Sequence, residues 1–356
     1  MSDTKPTTLV IGAGLIGTSI AMGLVKAGYS VFIQDIDATA LDVALTRSQA
    51  KKFDGQAKID LVVVATPPSK VAQVIRQAVL DHPTAVITDV ASVKAAVLGA
   101  VADLDQPSLA RIVGGHPMAG REVSGATAAQ NNLFVDRSWV ITKLPQTAEN
   151  SVAQVKTMIN DLGAIPIERQ VDEHDLAVAL ISHTPQVVAS VLAGVLNTAD
   201  KDHIALAGQG LRDTIRLASA DAKLWTDILA NNAQNVSAQV VKVAQDLLRV
   251  AKALNENELE SINQMFKLGA QGRDLLPGKH GAAANPDSLI VVRVEDKPGE
   301  LARLFNVAAR ANVNLEDVRI DHSLGRMTGL VELTVSQDKR EVLIGALTNA
   351  DFVVVN

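Results

Sequence analysis

Leu9-Val10-Ile11-Gly12-Ala13-Gly14-Leu15-Ile16-Gly17 is a short apolar run followed by three spaced glycines. The glycines match G-x-G-x-x-G, a pattern that means little alone and much more between a strand and a helix. Leu9–Ile11 reads as that strand and Ile16–Ala27 as that helix. In this setting the glycines allow a tight turn, close backbone approach to a pyrophosphate, and close helix–strand packing. The helix N-terminus adds free N–H groups for the phosphates. Asp35 ends the next apolar run, Val31-Phe32-Ile33, at the distance expected of a ribose-binding carboxylate. Such a carboxylate accepts hydrogen bonds from both ribose hydroxyls and repels a 2′-phosphate, so NAD is favoured over NADP. Asp37 reads instead as the N-cap of a helix over Ala38–Ala50. The cofactor candidates are therefore Gly12, Gly14, Leu15, Ile16, Gly17 and Asp35, joined by Thr66 and Ser92 after later strands.

The alternation continues outward from this loop. Leu61–Val64, Ala85–Thr88 and Ile112-Val113 read as strands; Ser69–Leu80 and Val93–Leu104 read as helices. Unbroken apolar runs suit strands covered on both faces. Residues 1–168 are thus expected to form an α/β, Rossmann-type, doubly wound parallel sheet. The texture changes at Val171. No proline occurs between Pro185 and Pro277, and Val236, Val240, Val243 and Leu247 recur at helical spacing. Residues 169–282 are expected to be all α-helical, with apolar faces that pack within the segment or against a second copy in a homodimer. Gly278–Pro286 reads as a linker. Residues 287–356 then follow the order βαββαβ: strands at Ser288–Val294, Val313–Ile320, Thr328–Val335 and Phe352–Val355, helices at Gly299–Ala311 and Lys339–Leu347, and a turn at Ser323–Arg326. That order is ferredoxin-like.

Composition narrows the class. The chain has 356 residues, enough for two or three cores, with 47% hydrophobic and 20% charged residues. A net charge of −6 with no basic cluster argues against a nucleic-acid partner. With no cysteine, disulfides and thiolate chemistry are excluded. No uninterrupted apolar run reaches membrane-spanning length, and Met1–Pro6 lacks the character of a signal peptide. The expectation is a cytoplasmic chain with no membrane association.

A second run carries the chemistry. Gly114-Gly115-His116-Pro117-Met118-Ala119-Gly120 follows a strand on the ligand-binding edge of the sheet. Oxidising a carbinol leaves an O–H proton to remove, and a neutral imidazole suits that task. Ser92 follows a neighbouring strand and has a hydroxyl to orient the imidazole or the nicotinamide.

Gly12–Gly17, Asp89–Lys94, Gly114–Gly120 and Ser182-His183-Thr184-Pro185 together resemble the prephenate dehydrogenase family over nearly the whole chain. Asp296-Lys297-Pro298-Gly299-Glu300-Leu301 resembles the characteristic loop of an ACT domain, which some members carry. The resemblance implies an NAD-dependent oxidation of prephenate, with loss of its ring carboxylate as carbon dioxide, giving 4-hydroxyphenylpyruvate. It implies that His116 is the base and that Ser92 supports it. It places Arg216 on a substrate carboxylate, where a guanidinium forms two parallel hydrogen bonds. Asp213 and Glu122 would form an ionic gate, and His183 a substrate-side contact. Lys297, Pro298, Gly299, Glu300 and Leu301 would bind an aromatic amino-acid effector such as tyrosine. No metal is required.

The chain departs from the pattern at Gln186, where the family often has a second histidine after S-H-x-P. Glutamine keeps hydrogen-bonding capacity without the charge. Three other readings stay open. An arogenate dehydrogenase runs the same chemistry on an amino-acid side chain. A β-hydroxyacid dehydrogenase would need a lysine motif that is not evident after Val171. A non-catalytic regulator would sense NAD or an amino acid without turnover.

Overall fold

In the computed structural model, which describes residues 5–120, 123–276, 287–322 and 328–355, the chain forms two compact units, Met1–Gln245 and Asp246–Asn356. The boundary falls inside the helix Ala233–Asn255. Gly278–Pro286, the turn Ser323–Arg326 and Glu122 lie outside the described residues.

The first unit is organised around β1 (Thr8–Ile11). It pairs in parallel with β2 (Val31–Gln34) and β4 (Leu61–Val64). The series continues through β3 (Lys51–Lys52), β5 (Val86–Asp89), β6 (Ile112–Pro117), β7 (Ser138–Thr142) and β8 (Ile165–Glu168). Among the described residues, the sheet has eight strands in the order β3-β2-β1-β4-β5-β6-β7-β8. All four residues of β4 are fully buried, which is why that run has no polar alternation. Burying each such side chain contributes roughly 1.5–3 kcal/mol, so the centre of the sheet anchors the unit and its Lys-rich edge strand does not.

The first unit differs from the sequence reading in three respects. First, β7 runs antiparallel to β6, and β3, β7 and β8 had no clear signal. Second, β6 does not stop at Val113. It runs on to Pro117, so His116 lies within a strand rather than in a loop. The glycines explain the extension. A Cβ on Gly114 would strike Thr142 Oγ1, and one on Gly115 would strike the Asp89 carbonyl. Their bareness serves strand contact, not a nucleotide. Third, the helix expected over Val93–Leu104 covers only Ala95–Gly99. A new short helix, Gln106–Leu109, starts where Asp105 accepts from the Ser108 N–H and Pro107 occupies the first turn.

Helices α1 (Leu15–Lys26) and α2 (Ala38–Ser48) cover one face of the sheet, and α3 (Pro68–Asp81) covers the other. The segment after β8 is helical, as its periodicity predicts. Its helix Ala222–Asn231 lays Trp225 and Ile228 on the core beneath α3. Asp227 of that helix accepts a hydrogen bond from the Ser69 N–H at 3.0 Å, capping α3 from outside.

Residues Val171–Thr198 form a continuous helix of 28 residues with mean hydropathy 1.6 in its most apolar window, long and apolar enough to cross a membrane. The expectation concerned an uninterrupted apolar run, and polar residues interrupt this one. His174, Asp175, His183 and Gln186 are among its buried positions.

In the second unit, β9 (Asp287–Glu295), β10 (Asp317–His322), β11 (Thr328–Ser336) and β12 (Val353–Val354) form an antiparallel sheet ordered β10-β11-β9-β12. The helices Glu300–Arg310 and Arg340–Asn349 complete a βαββαβ unit, with Ile290, Val292, Val294, Leu333 and Leu343 in its core.

The glycine loop yields a direct test. A Cβ on Gly17 would land on the Gly12 carbonyl oxygen, whereas one on Gly14 meets nothing nearby. Gly17→Ala is expected to lower unfolding free energy in urea by about 1–3 kcal/mol, as overpacking does. Gly14→Ala should leave stability near the parent value. Equal stability of the two variants would contradict this packing.

Candidate active site

The three glycines act differently in space. Gly12 has φ of +114°, which favours glycine, and its missing Cβ also clears the Ala65 carbonyl. Gly17 lets α1 sit against that turn. Gly14 faces open space at the start of α1, which has neither a capping side chain nor an acidic residue in its first turn. The free N–H groups there form an anion site. Asp35 steadies the loop from β2: Oδ2 accepts from the Ala13 N–H at 2.5 Å and Oδ1 from the Asp37 N–H at 2.8 Å. Asp37 caps α2, accepting from Thr39 and Ala40 N–H groups.

These residues open into a cavity of about 1060 Å³. Gly12, Gly14, Leu15, Ile16, Asp35, Thr66, Ser92 and His116 line it, with Leu224 and Ile228 contributed by the helical segment. The hydroxyls of Thr66 and Ser92 are buried without a hydrogen-bond partner. Buried polar groups are nearly always satisfied, so such orphans mark where a ligand completes the site. The bare cradle, the free helix N-terminus, the ribose-side carboxylate and the two orphaned hydroxyls fit a bound dinucleotide.

His116 forms one end of a hydrogen-bonded chain. Its Nδ1 lies 2.8 Å from His174 Nε2, and His174 Nδ1 lies 2.7 Å from Asp175 Oδ1. Asp175 also accepts from the Lys94 and Ala95 N–H groups, each at 2.8 Å. A carboxylate only accepts, so His174 Nδ1 carries a proton and donates it. In a neutral His174, Nε2 is then an acceptor, which requires His116 Nδ1–H to donate. The lone pair of His116 is left on Nε2, the nitrogen available to the cavity.

Electrostatics reinforce that assignment. Burial first, and then the electrostatic influence of His174, Lys94 and His183, hold His116 well below the usual imidazole value. That direction favours the uncharged ring. Burial alone would raise Asp175; the hydrogen bonds from His174, Ala95 and Lys94 reverse this and hold it below the usual carboxyl value.

His183 occupies a π-helical turn, Ala179–His183, just before Pro185. Proline lacks the N–H that would continue the helix ladder, and the widened turn absorbs that loss. The turn buries His183 against the Trp225 ring, with Nδ1 3.3 Å from Asn232 Nδ2 and Nε2 unpartnered. Burial, opposed by Asp175 and aided by His174, lowers His183 to about 4.

The remaining candidates stand apart. Gln186 is buried and donates to the Leu217 carbonyl at 2.8 Å; it does not line the cavity. Arg216 and Asp213 are exposed, and Asp213 accepts from Gln209 at 2.8 Å. Glu122 lies outside the described residues. In the second unit, Lys297 and Pro298 are exposed, Lys297 pairs with Glu295 at 2.6 Å, and Gly299 has φ of +93° at the start of its helix. Among the described residues, no group of three His, Asp or Glu side chains is placed to hold a metal ion.

Residues 20–168 match the nucleotide-binding domain of prephenate dehydrogenase, and residues 170–268 its dimerization domain. The chain is 31% identical to a probable prephenate dehydrogenase of Streptomyces niveus, across 96% of this chain and 97% of that one. The chain belongs to the prephenate dehydrogenase family. It is also 28% identical to the prephenate dehydrogenase of Bacillus subtilis, across 95% of this chain and 94% of that one. A crystal structure of prephenate dehydrogenase from A. aeolicus, in complex with hydroxyphenyl propionate and NAD+, shares the fold, with a TM-score of 0.70 and 22% identity. The match covers 78% of this chain and 100% of that one.

Within this family member, sequence reasoning passed over His174, Asp175, Asp89, Lys94 and Asn232. The adjacent His174-Asp175 pair at the head of an apolar helix was the available signal.

The low value of His183 has a consequence for stability. The folded chain resists protonating this group until about pH 4, whereas an unfolded imidazole accepts a proton near 6.5. The unfolded state therefore binds more protons between those values, and stability falls as pH falls through that window. His116 acts in the same direction. Urea unfolding should show stability declining from pH 6.5 toward about 4. A flat profile there would contradict burial of these rings.

Proposed function

We propose that this chain oxidises prephenate at its ring carbinol and releases the ring carboxylate as carbon dioxide, forming 4-hydroxyphenylpyruvate. The chain is an NAD-dependent oxidoreductase of the prephenate dehydrogenase family. One observation supports the residue assignment: the Asp175–His174–His116 hydrogen-bonded chain ends at the cavity that the glycine loop also lines.

Gly12, Gly14, Leu15, Ile16 and Gly17 hold the pyrophosphate at the head of α1, and Asp35 takes the ribose hydroxyls. Thr66 and Ser92 offer their orphaned hydroxyls on the nicotinamide side. The nicotinamide, when bound, accepts hydride from the carbinol carbon. His116 Nε2 takes the hydroxyl proton as the carbonyl forms. His174 and Asp175 stabilise the resulting imidazolium through existing hydrogen bonds. The electron pair left by the departing carboxylate flows into the ring and onto the former carbonyl oxygen, giving a phenolate. His116 returns its proton there, so atoms and charge balance without a metal.

We assign Arg216 to a substrate carboxylate, His183 and Gln186 to the substrate side, and Glu122 and Asp213 to a gate at the entrance. Arg216 stands outside the cavity of its own chain, which favours delivery by the second copy of a homodimer. The similarity of residues 170–268 to a dimerization domain supports that pairing. So do Leu180, Ile181, Val191 and Val195, which are more than half exposed on the helix Val171–Thr198. We read residues 1–168 as the cofactor segment, 169–282 as the substrate and dimer segment, and 287–356 as an ACT-like segment in a cytoplasmic enzyme. In that last segment, Lys297, Pro298, Gly299, Glu300 and Leu301 form the loop we assign to an aromatic amino-acid effector. The βαββαβ order and the positive φ of Gly299 support it.

The base assignment is tested by following NADH formation with prephenate and, separately, arogenate. The wild type should turn over prephenate at the higher kcat/KM. His116→Asn should lose about 10²–10⁴-fold in kcat, the usual contribution of a general base. Near-complete activity in that variant would remove His116 from the mechanism. A preference for arogenate would reassign the substrate.

The effector assignment is tested by titrating tyrosine against the full chain and a chain lacking Asn285–Asn356. The truncated enzyme should turn over and lose the response. A response unchanged by truncation would move the effector to the catalytic cavity.

A further inference from the structure

Lys94 is fully buried, its charge in contact with Asp89, at the end of β5 beside the site. The parallel ladder joining β5 to β6 ends at Thr88↔Val113, and from Gly114 on β6 pairs with β7. His116 lies beyond the end of that ladder. Side chains replace the ladder there. Asp89 Oδ1 accepts from the Gly115 N–H at 3.2 Å, and Lys94 Nζ donates to the Gly115 carbonyl at 2.7 Å. The ion pair thus holds both polar backbone groups of the residue immediately before His116. The backbone N–H of Lys94 donates to Asp175, the far end of the hydrogen-bonded chain. One residue therefore touches both ends.

We propose that the buried Asp89–Lys94 pair is the positioning element of the base, fixing the Gly115–His116 peptide against β5 and registering Asp175 to it. The inference rests on the reading of His116 as the base. Three titratable groups interact with the ammonium: Asp89 from β5, His116 from β6 and Asp175 from the head of the long helix. His174, beside Asp175, and His183, in the π turn, act on His116 in turn. The positive charge also disfavours protonation of His116, so the pair governs charge as well as place. A purely structural tie would not need it. Replacing a buried ion pair by an uncharged pair of similar volume is often tolerated by a fold, whereas removing one partner is not.

The experiment uses the full chain and the double variant Asp89→Asn/Lys94→Met, with Lys94→Arg as the charge-preserving control. In the double variant, Tm and the Kd for NAD should remain near wild type. Its kcat should fall about a hundredfold, as expected when a reacting group shifts by an ångström. KM for prephenate should hold. The acidic limb of kcat/KM should move to higher pH, because a base without its cationic neighbour protonates more readily. Lys94→Arg should keep the limb in place and lose kcat, since its fork cannot reproduce the single bond to Gly115. Wild-type kcat with an unmoved limb in the double variant overturns the proposal. If the double variant does not fold, Lys94→Arg decides: reduced kcat with an unmoved limb supports the proposal, and wild-type kcat or a moved limb overturns it. His116→Asn, measured alongside, separates failure of the base assignment from failure of this one.

Discussion

The Asp175 carboxylate accepts three hydrogen bonds, one from the ring of His174 and two from the backbone N–H groups of Lys94 and Ala95. The backbone donors belong to the turn and helix start that follow β5, while Asp175 belongs to the long helix after β8. The carboxylate therefore ties the helical segment to the sheet edge. It also decides the tautomer of His174, and through it the tautomer of His116. A His116 ring with its lone pair on the cavity side is a consequence of where one carboxylate docks. Charge-assisted bonds of this kind are roughly twice as strong as neutral ones, enough to select one tautomer over another.

Around that carboxylate, the protein buries more polar chemistry than its core alone requires. Lys94, Asp89, His116, His174, Asp175 and His183 are all at most 9% exposed. Such groups are costly unless paired, and most are paired here. The exceptions are informative. Ser92 and Thr66 leave unpartnered hydroxyls along the cavity, and His183 Nε2 and Thr184 Oγ1 are unpartnered near the π turn. Elsewhere Thr18, Trp139 and Thr142 also carry unpartnered buried atoms, for which nothing in the structure accounts.

The parts legible in the sequence were those written in local order. The strand, glycine loop and helix from Leu9 to Ala27 signal themselves because Gly12 and Gly17 each answer to a backbone neighbour close in the chain or at one fixed crossover. The four-residue apolar run at Leu61–Val64 signals burial on both faces. The βαββαβ order after Ser288 follows from alternation and turns. The missed parts depend on distant pairing. Nothing near Gly114-Gly115 announces that β7, more than twenty residues on, will extend β6 through His116. The charge on Lys94 looks like a surface charge until Asp89 and the Gly115 carbonyl are placed around it. His174 and Asp175 sit at the head of a helix, where an acidic residue ordinarily serves the helix dipole. Here Asp175 serves another element.

The cofactor side and the base side are therefore built on different principles. The first uses backbone, glycines and one carboxylate centred on β1, α1 and β2, closed by the chain that follows β4. The second exists only when the long helix meets the ends of β5 and β6. That dependence explains why compactness does not divide the chain at the end of the sheet. The first unit runs through β8 and on to Gln245, taking in Trp225, Ile228 and Asn232. Asn232 donates to the Asp175 carbonyl at 2.8 Å and approaches His183, so the later helices brace the helix that carries the acid. A loop could hold a base near a nucleotide. Holding it in one tautomer requires a strand fixed on both sides and a helix that cannot slide past it, because a shift of one residue would exchange His174 for a neighbour facing another direction.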